Sequence, residues 1–194
     1  MSTRGFERWW LDAWPHRVYV RKAVPRFLRG CPEPFRGEVL EIGAGGGHTS
    51  RRILETFPQV ELTATDVDTA AADRFVRLQQ VFGQRLKFQQ ADVLHLPFDR
   101  ESFDIAVALH MLHHLDDVPL ALQQMLRVLR PGGLIGLTDD NPDFMRGPVR
   151  WLFPAASAVS RADIAHILAA EGCEVLAEQG DVHYFLWARK KYAV

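Results

Sequence analysis

From Glu38 onward the chain alternates short apolar runs with amphipathic segments of helical period, and this alternation restricts its fold more than any other feature. Val39 to Ile42, Val60 to Thr65, Leu86 to Gln90, Phe103 to Leu109 and Leu134 to Thr138 read as strands. Between them, Thr49 to Phe57, Thr69 to Phe82 and Val118 to Leu129 read as helices, stopped by Pro58, Gly83 and Pro131-Gly132-Gly133 respectively. Phe103 to Leu109 is almost wholly apolar, as a strand covered on both faces must be. Such a βα alternation implies right-handed crossovers and a parallel sheet with helices on both sides. A helix over Asp163 to Glu171 then leads to two more strands, Glu174 to Ala177 and Val182 to Arg189. Only Glu178 to Asp181 separates that pair, too little for a parallel crossover, so the two are expected to run antiparallel. The expected architecture is a doubly wound α/β sandwich around a mostly parallel seven-stranded sheet with an antiparallel last strand.

The N-terminal residues have a different texture. Phe6, Trp9, Trp10, Ala13 and Trp14 fall on one face of a helix that Pro15 ends or kinks, and a second helix is expected from about His16 to Leu28. Gly30, Pro32, Pro34 and Gly37 form a linker, so residues 1–35 read as a helical lid or extension on a single globular unit spanning 36–194. Residues 1–30 carry seven basic and two acidic side chains, a balance of +5, whereas the whole chain has a net charge of −1. An overall charge so near zero argues against nucleic acid as the partner. The aromatic, arginine-flanked first helix could instead pack on the core, cover a bound molecule, or make peripheral contact with a membrane. Cys31 and Cys173 form no Cys-x-x-Cys pattern, and no run has a signal-peptide core or the length of a spanning helix, so a cytoplasmic location is expected.

The first strand leads into Glu41-Ile42-Gly43-Ala44-Gly45-Gly46-Gly47. Glycine allows a tight turn and close approach of backbone to a ligand. A dinucleotide fingerprint would place its third glycine at position 48, where this chain has His48, which counts against a nicotinamide-dependent oxidoreductase. No Lys-Ser or Lys-Thr follows, so a phosphate-cradling loop is excluded too.

The pattern Glu-x-Gly-x-Gly-x-Gly after a short strand resembles the first motif of class I S-adenosylmethionine-dependent methyltransferases, of the type 11 kind. Further segments resemble that family in order: Thr63-Ala64-Thr65-Asp66-Val67-Asp68, Ala91-Asp92-Val93, Ser102-Phe103-Asp104-Ile105-Ala106-Val107, and Leu126-Arg127-Val128-Leu129-Arg130-Pro131-Gly132-Gly133. The resemblance implies a Rossmann-like fold and an enzyme with S-adenosylmethionine as cofactor, S-adenosylhomocysteine as product, and no metal. It implies that Gly43, Ala44 and Gly45 contact the amino-acid end of the cofactor. Asp66 would hold the ribose hydroxyls, Val67 would pack on the adenine, Asp92 and Val93 would flank it, and Leu109 and His110 would line the methionine portion. Glu41 is expected to act at second hand, holding the loop or a nearby amino group. Chemistry agrees: the cofactor has no phosphate, its diol needs a two-oxygen acceptor, and its sulfonium favours an acidic surround. Asp68 and Asp104 read as structural, and an aspartate after a strand also commonly caps a helix or turn.

After the fourth strand comes Leu109-His110-Met111-Leu112-His113-His114-Leu115-Asp116-Asp117. His110 and then His113 are the candidates for a general base, since histidine titrates near neutrality. His114 reads as packing or capping. Metal binding would need His110, His113 and His114 to converge, whereas adjacent residues on a helix point well apart and the resembling family has a similar stretch without metal, so no metal is expected there. The acceptor is expected to be a small, apolar or lipid-like molecule, covered by the N-terminal helix or by the stretch from Asn141 to Ser160 with Phe144, Met145, Trp151, Leu152 and Phe153. The chain is expected to be a monomer or homodimer. The rival reading is a module that binds the same cofactor without turnover.

Overall fold

A computed structural model of the chain describes residues 23–140, 159–180 and 183–192. The helix α1, described over residues 23–29, precedes β1 (Gly37–Ile42), α2 (His48–Thr56), β2 (Val60–Asp66), α3 (Ala71–Phe82), β3 (Leu86–Gln90), β4 (Phe103–Leu109), α4 (Val118–Val128), β5 (Leu129–Asp140), α5 (Arg161–Ala170), β6 (Cys173–Gln179) and β7 (His183–Lys190). Phe6, Trp9, Trp10, Trp14 and the stretch from Asn141 to Ala158 lie outside the described residues, and with them most of both predicted covers. Among the described residues no helix is long and apolar enough to cross a membrane.

The seven strands form one sheet in the order β3-β2-β1-β4-β5-β7-β6. β1 pairs in parallel with β2 and β4, β2 with β3, and β4 with β5. β7 runs antiparallel to both its neighbours, β5 and β6. This is the mostly parallel, doubly wound sheet that the βα alternation and the short last connection require.

Alternating side chains of each strand point to opposite faces, and the core divides accordingly. Val39, Ile105, Val107, Leu134, Phe185 and Trp187 face a layer made by Val24, Phe27 and Leu28 of α1, Ile53 and Leu54 of α2, and Phe75 and Leu78 of α3. Leu40, Ala106, Ala108, Ile135 and Leu186 face the other layer, where Leu122, Met125 and Leu126 of α4 and Ile164 and Leu168 of α5 pack. The described part of the N-terminal extension thus belongs to the core. Phe27 stacks on Trp187 with ring centroids 4.7 Å apart, and Trp187 Nε1 donates to the Phe27 carbonyl at 3.3 Å. Gly136 makes this possible: a Cβ there would lie 2.5 Å from the Trp187 ring and 2.8 Å from that of Phe27.

Helix starts follow local chemistry. Asp117 accepts from Leu120 N at 2.9 Å at the head of α4, and Ser160 with Asp163 forms a reciprocal capping box on α5. The fifth strand departs from expectation. It begins at Leu129, not Leu134, and includes Arg130-Pro131-Gly132-Gly133, which the sequence marked only as a stop. Phe103 pairs with Leu129, the register then shifts, and regular pairing resumes at Ile105 with Leu134. The irregular stretch is held by Arg130 Nη1 on Asp104 Oδ1 at 2.6 Å, while Asp104 Oδ2 accepts from Glu38 N at 2.9 Å. Asp104 is therefore a structural clamp at the edge opposite the glycine loop.

Candidate functional site

Because β1, β2, β4 and β5 are parallel, the segments after them emerge on one edge of the sheet. That is where open α/β sheets place ligands. The edge carries the glycine loop after β1, Asp66 at the end of β2, His110 after β4 and Asp139-Asp140 at the end of β5. β7 runs the other way, so its first residue, His183, lies there too, in register with Asp140.

The loop is built on left-handed backbone at Gly43, Gly45 and Gly47, with φ of 70°, 49° and 72°. At Gly47 the close packing of α3 also forbids a side chain, since a Cβ would sit 2.5 Å from Leu78 Cδ1. Over Gly45 the space is open: a Cβ there would meet nothing nearer than a carbonyl oxygen at 4.0 Å. Ala44 N donates to the Thr65 carbonyl at 2.9 Å, tying the loop to β2. Asp66 faces the loop: its Oδ2 accepts from Gly45 N at 2.7 Å and its Oδ1 from Asp68 N at 2.8 Å. Asp68 in turn accepts from Ala70 N at 3.0 Å ahead of α3. Val67, next to Asp66, is 70% exposed, an apolar surface left open beside a carboxylate.

Glu41 lies beneath the loop rather than in it. It is 2% exposed, and its Oε2 accepts from the Ser50 hydroxyl of α2. Burial pushes its pKa up to about 8, against the lowering effect of the Ser50 bond and with a further push from Asp66. Near neutral pH it is therefore largely a neutral acid. Asp92 is exposed and caps a short 3-10 turn, accepting from Leu94 N at 2.9 Å. Val93 points inward to the core, and Leu109 is half-buried at the end of β4.

His110 adopts left-handed backbone, φ 54°, unusual for a residue with a Cβ, and its N–H donates to the Thr138 carbonyl at 2.8 Å. The next residue, Met111, lies against the glycine loop, where a Cβ on Gly43 would come within 2.9 Å of the Met111 Cβ. His113 sits in a short 3-10 turn, Leu112–His114, and pairs with the buried Asp139: Nδ1 to Oδ1 at 2.7 Å, and backbone N to Oδ2 at 3.1 Å. Burial alone would raise the Asp139 pKa, but the bond and charge of His113, together with His110 and the Asp140 N–H, outweigh it and hold that carboxyl below its usual range. Burial depresses the His110 pKa despite the pull of Asp140 and Asp139. His114 packs on His113 with ring centroids 3.9 Å apart. Asp139, Asp140 and His183 were not singled out by the sequence. The acidic pair closing the fifth strand was a usable signal; His183 was not readable until the sheet order placed β7 beside β5.

Residues 40–137, slightly more than half the chain, match the family profile described as a methyltransferase domain. The chain belongs to the class I S-adenosylmethionine-dependent methyltransferases. It is 35% identical over 105 residues to 27-O-demethylrifamycin SV methyltransferase of Amycolatopsis mediterranei, covering 52% of this chain and 38% of that protein. It is 32% identical over 135 residues to demethylmenaquinone methyltransferase of Roseiflexus castenholzii, covering 70% of this chain and 50% of that protein. The chain thus spans half or less of the length of these curated relatives. A solved S-adenosylmethionine-dependent methyltransferase from Mesorhizobium loti superposes with a TM-score of 0.72 at 17% identity, over 88% of this chain and all of that one, which shows a shared fold.

S-adenosylmethionine is the cofactor of this family. The edge fits such a molecule. Open space over Gly45, a carboxylate turned toward the loop and an exposed valine beside it offer room for a chain end, a two-oxygen acceptor for a diol and a surface for a flat ring. No basic side chain is needed, since there is no phosphate to bind.

Proposed function

We propose that this methyltransferase acts on a small, apolar or lipid-like acceptor bound where β4, β5 and β7 meet, with His113 as the proton acceptor. The observation that carries the reading is the His113–Asp139 pair, set one segment away from the glycine loop. Bound S-adenosylmethionine supplies an electrophilic methyl group. The remaining roles fall to the chain. Gly43, Ala44 and Gly45 bind the amino-acid end, Asp66 accepts from the ribose diol, and Val67 packs on the base, with Asp92 and the backbone of Val93 at its rim and Leu109 at the methionine portion. Glu41 supports the loop from below through Ser50.

Asp139 binds the Nδ1 side of His113, which fixes the ring and leaves Nε2 as the nitrogen that can take a proton from an acceptor hydroxyl. Asp139 is then a positioning residue. His110 stands beside this pair, its ring centroid 6.0 Å from that of His113. We place His113 ahead of His110 because the buried Asp139 holds its ring through Nδ1 at 2.7 Å, whereas His110 Nε2 lies 3.7 Å from the half-buried Asp140. A general base is worth about 10²–10⁴-fold, with alignment supplying the rest.

The relatives support the acceptor class: their names point to a demethylmenaquinone and a demethylrifamycin, both small organic molecules. Radiolabelled methyl transfer to a panel of quinols, phenols and fatty acids is the test. Transfer to at least one, falling about a hundredfold or more in His113→Ala with S-adenosylhomocysteine affinity retained, is expected. Unchanged turnover in both His113→Ala and His110→Ala would remove the base, and cofactor binding without transfer to any acceptor would favour a non-catalytic module.

A further inference from the structure

Five side chains, His110, His113, Asp139, Asp140 and His183, converge at the ends of β4 and β5 and the start of β7. They form two triads, and within each the potential ligand atoms lie within 4.8 Å of one another: His110 with His113 and Asp139, and His110 with Asp140 and His183. The family's methyl transfer requires no metal, so an ion held here would be a property of this chain's own side chains.

The first triad is the less available. Asp139 Oδ1 already accepts from His113 Nδ1 at 2.7 Å and from Asp140 N at 2.8 Å, and Oδ2 from His113 N at 3.1 Å. The second is the more exposed, with His110 and Asp140 half-buried and His183 exposed. His110 Nε2 lies 3.7 Å from Asp140 Oδ1, and His183 Nδ1 meets the same oxygen. The His110 and His183 rings have centroids 5.8 Å apart. Ligand atoms about 2.0–2.2 Å from a shared ion are roughly 3–3.5 Å apart at octahedral or tetrahedral angles, so small adjustments would seat one ion among these three groups.

We propose that His110, Asp140 and His183 bind one divalent transition-metal ion. Two imidazoles and one carboxylate are a ligand set for zinc, iron(II) or manganese, and one that leaves coordination positions open. The backbone favours the arrangement. Asp140 and His183 are cross-strand partners, fixed in register by the β5–β7 ladder. The left-handed turn at His110 is held by its bond to Thr138, two residues before Asp140. Asp139, bonded to both His113 and Asp140 N, braces the site from behind. An ion held by these three side chains would keep positions for further ligands, and an acceptor oxygen bound there would make the site select hydroxyl-bearing acceptors. That last step rests on the methyl-transfer reading; the metal site itself does not.

The test uses the full, tag-free chain stripped with chelator, titrated with zinc chloride by calorimetry and with cobalt chloride by visible absorption. Expected are one ion per chain and cobalt d–d bands. Asp140→Asn and, separately, His183→Gln should each weaken zinc at least about tenfold without altering the far-UV circular dichroism spectrum. Replacing His166, an exposed histidine of α5, with glutamine should leave zinc affinity unchanged. Absence of saturable zinc binding by folded protein would overturn the proposal, as would affinity undiminished in both variants. The same sample is titrated with S-adenosylhomocysteine: binding of that compound without zinc removes the metal site and spares the methyltransferase reading, and zinc without that compound does the reverse.

Discussion

Replacing Glu41 with glutamine should change how stability depends on pH, and the direction is set by burial. Glu41 is enclosed beneath the glycine loop, and its pKa in the folded protein is about 8 against an ordinary 4.5. Between these values the folded chain holds a proton there that the unfolded chain has released. Folded protein therefore binds more protons, and stability must fall as pH rises from about 4.5 through 8, by at most about 1.4 kcal/mol per pH unit. Over the whole window the ceiling is about 5 kcal/mol; local opening and water entry reduce it, so a loss of a few kcal/mol is expected. Glutamine has nearly the same shape, can still meet Ser50 and carries no titrating proton. Urea denaturation of wild type and Glu41→Gln at about pH 5 and about pH 8.5, on either side of most of that window, gives a double difference in which the other titrating groups largely cancel. Wild type should lose a few kcal/mol relative to the variant on going to the higher pH. A flat difference would mean that Glu41 does not titrate in this window. A difference of opposite sign would mean that the folded protein stabilises the carboxylate, and the reasoning from burial would fail.

Gly47→Ala places a Cβ 2.5 Å from Leu78 Cδ1 at a φ of 72°; it should cost about 2–4 kcal/mol by chemical denaturation. Trp187→Ala removes the ring that stacks on Phe27 and fills the space over Gly136, so a loss of about 3–5 kcal/mol is expected from the same measurement. His113→Ala should lower turnover with S-adenosylhomocysteine affinity retained, read by the transfer assay and calorimetry on one sample.

Much of the fold was legible because its signals are local. Period and breakers placed β1 to β4 and the helices between them, and the four-residue gap before Val182 required an antiparallel pair. The start of β5 was not legible: Pro131-Gly132-Gly133 reads as a stop, and only the register shift opposite Phe103 and the Asp104–Arg130 pair hold that stretch in the sheet. Glu41, Gly45 and Asp66 stand within one short βαβ unit, so their proximity follows from chain order. The cluster around His110 depends on strands distant in sequence. That β7 inserts beside β5, bringing His183 to Asp140, is a tertiary outcome that no local pattern records. The same holds for His113 and Asp139, whose pairing needs the ends of β4 and β5 to lie side by side.

If the edge is a cofactor site, the glycine loop and Asp66 must together grip an adenosyl amino acid. Calorimetric titration of the folded chain with S-adenosylhomocysteine reads this directly. One molecule bound per chain is expected, with affinity reduced about ten- to a hundredfold in Asp66→Ala, as the loss of hydrogen bonds to an ionised group requires. No heat of binding from folded wild-type protein, or equal affinity in Asp66→Ala, would contradict it.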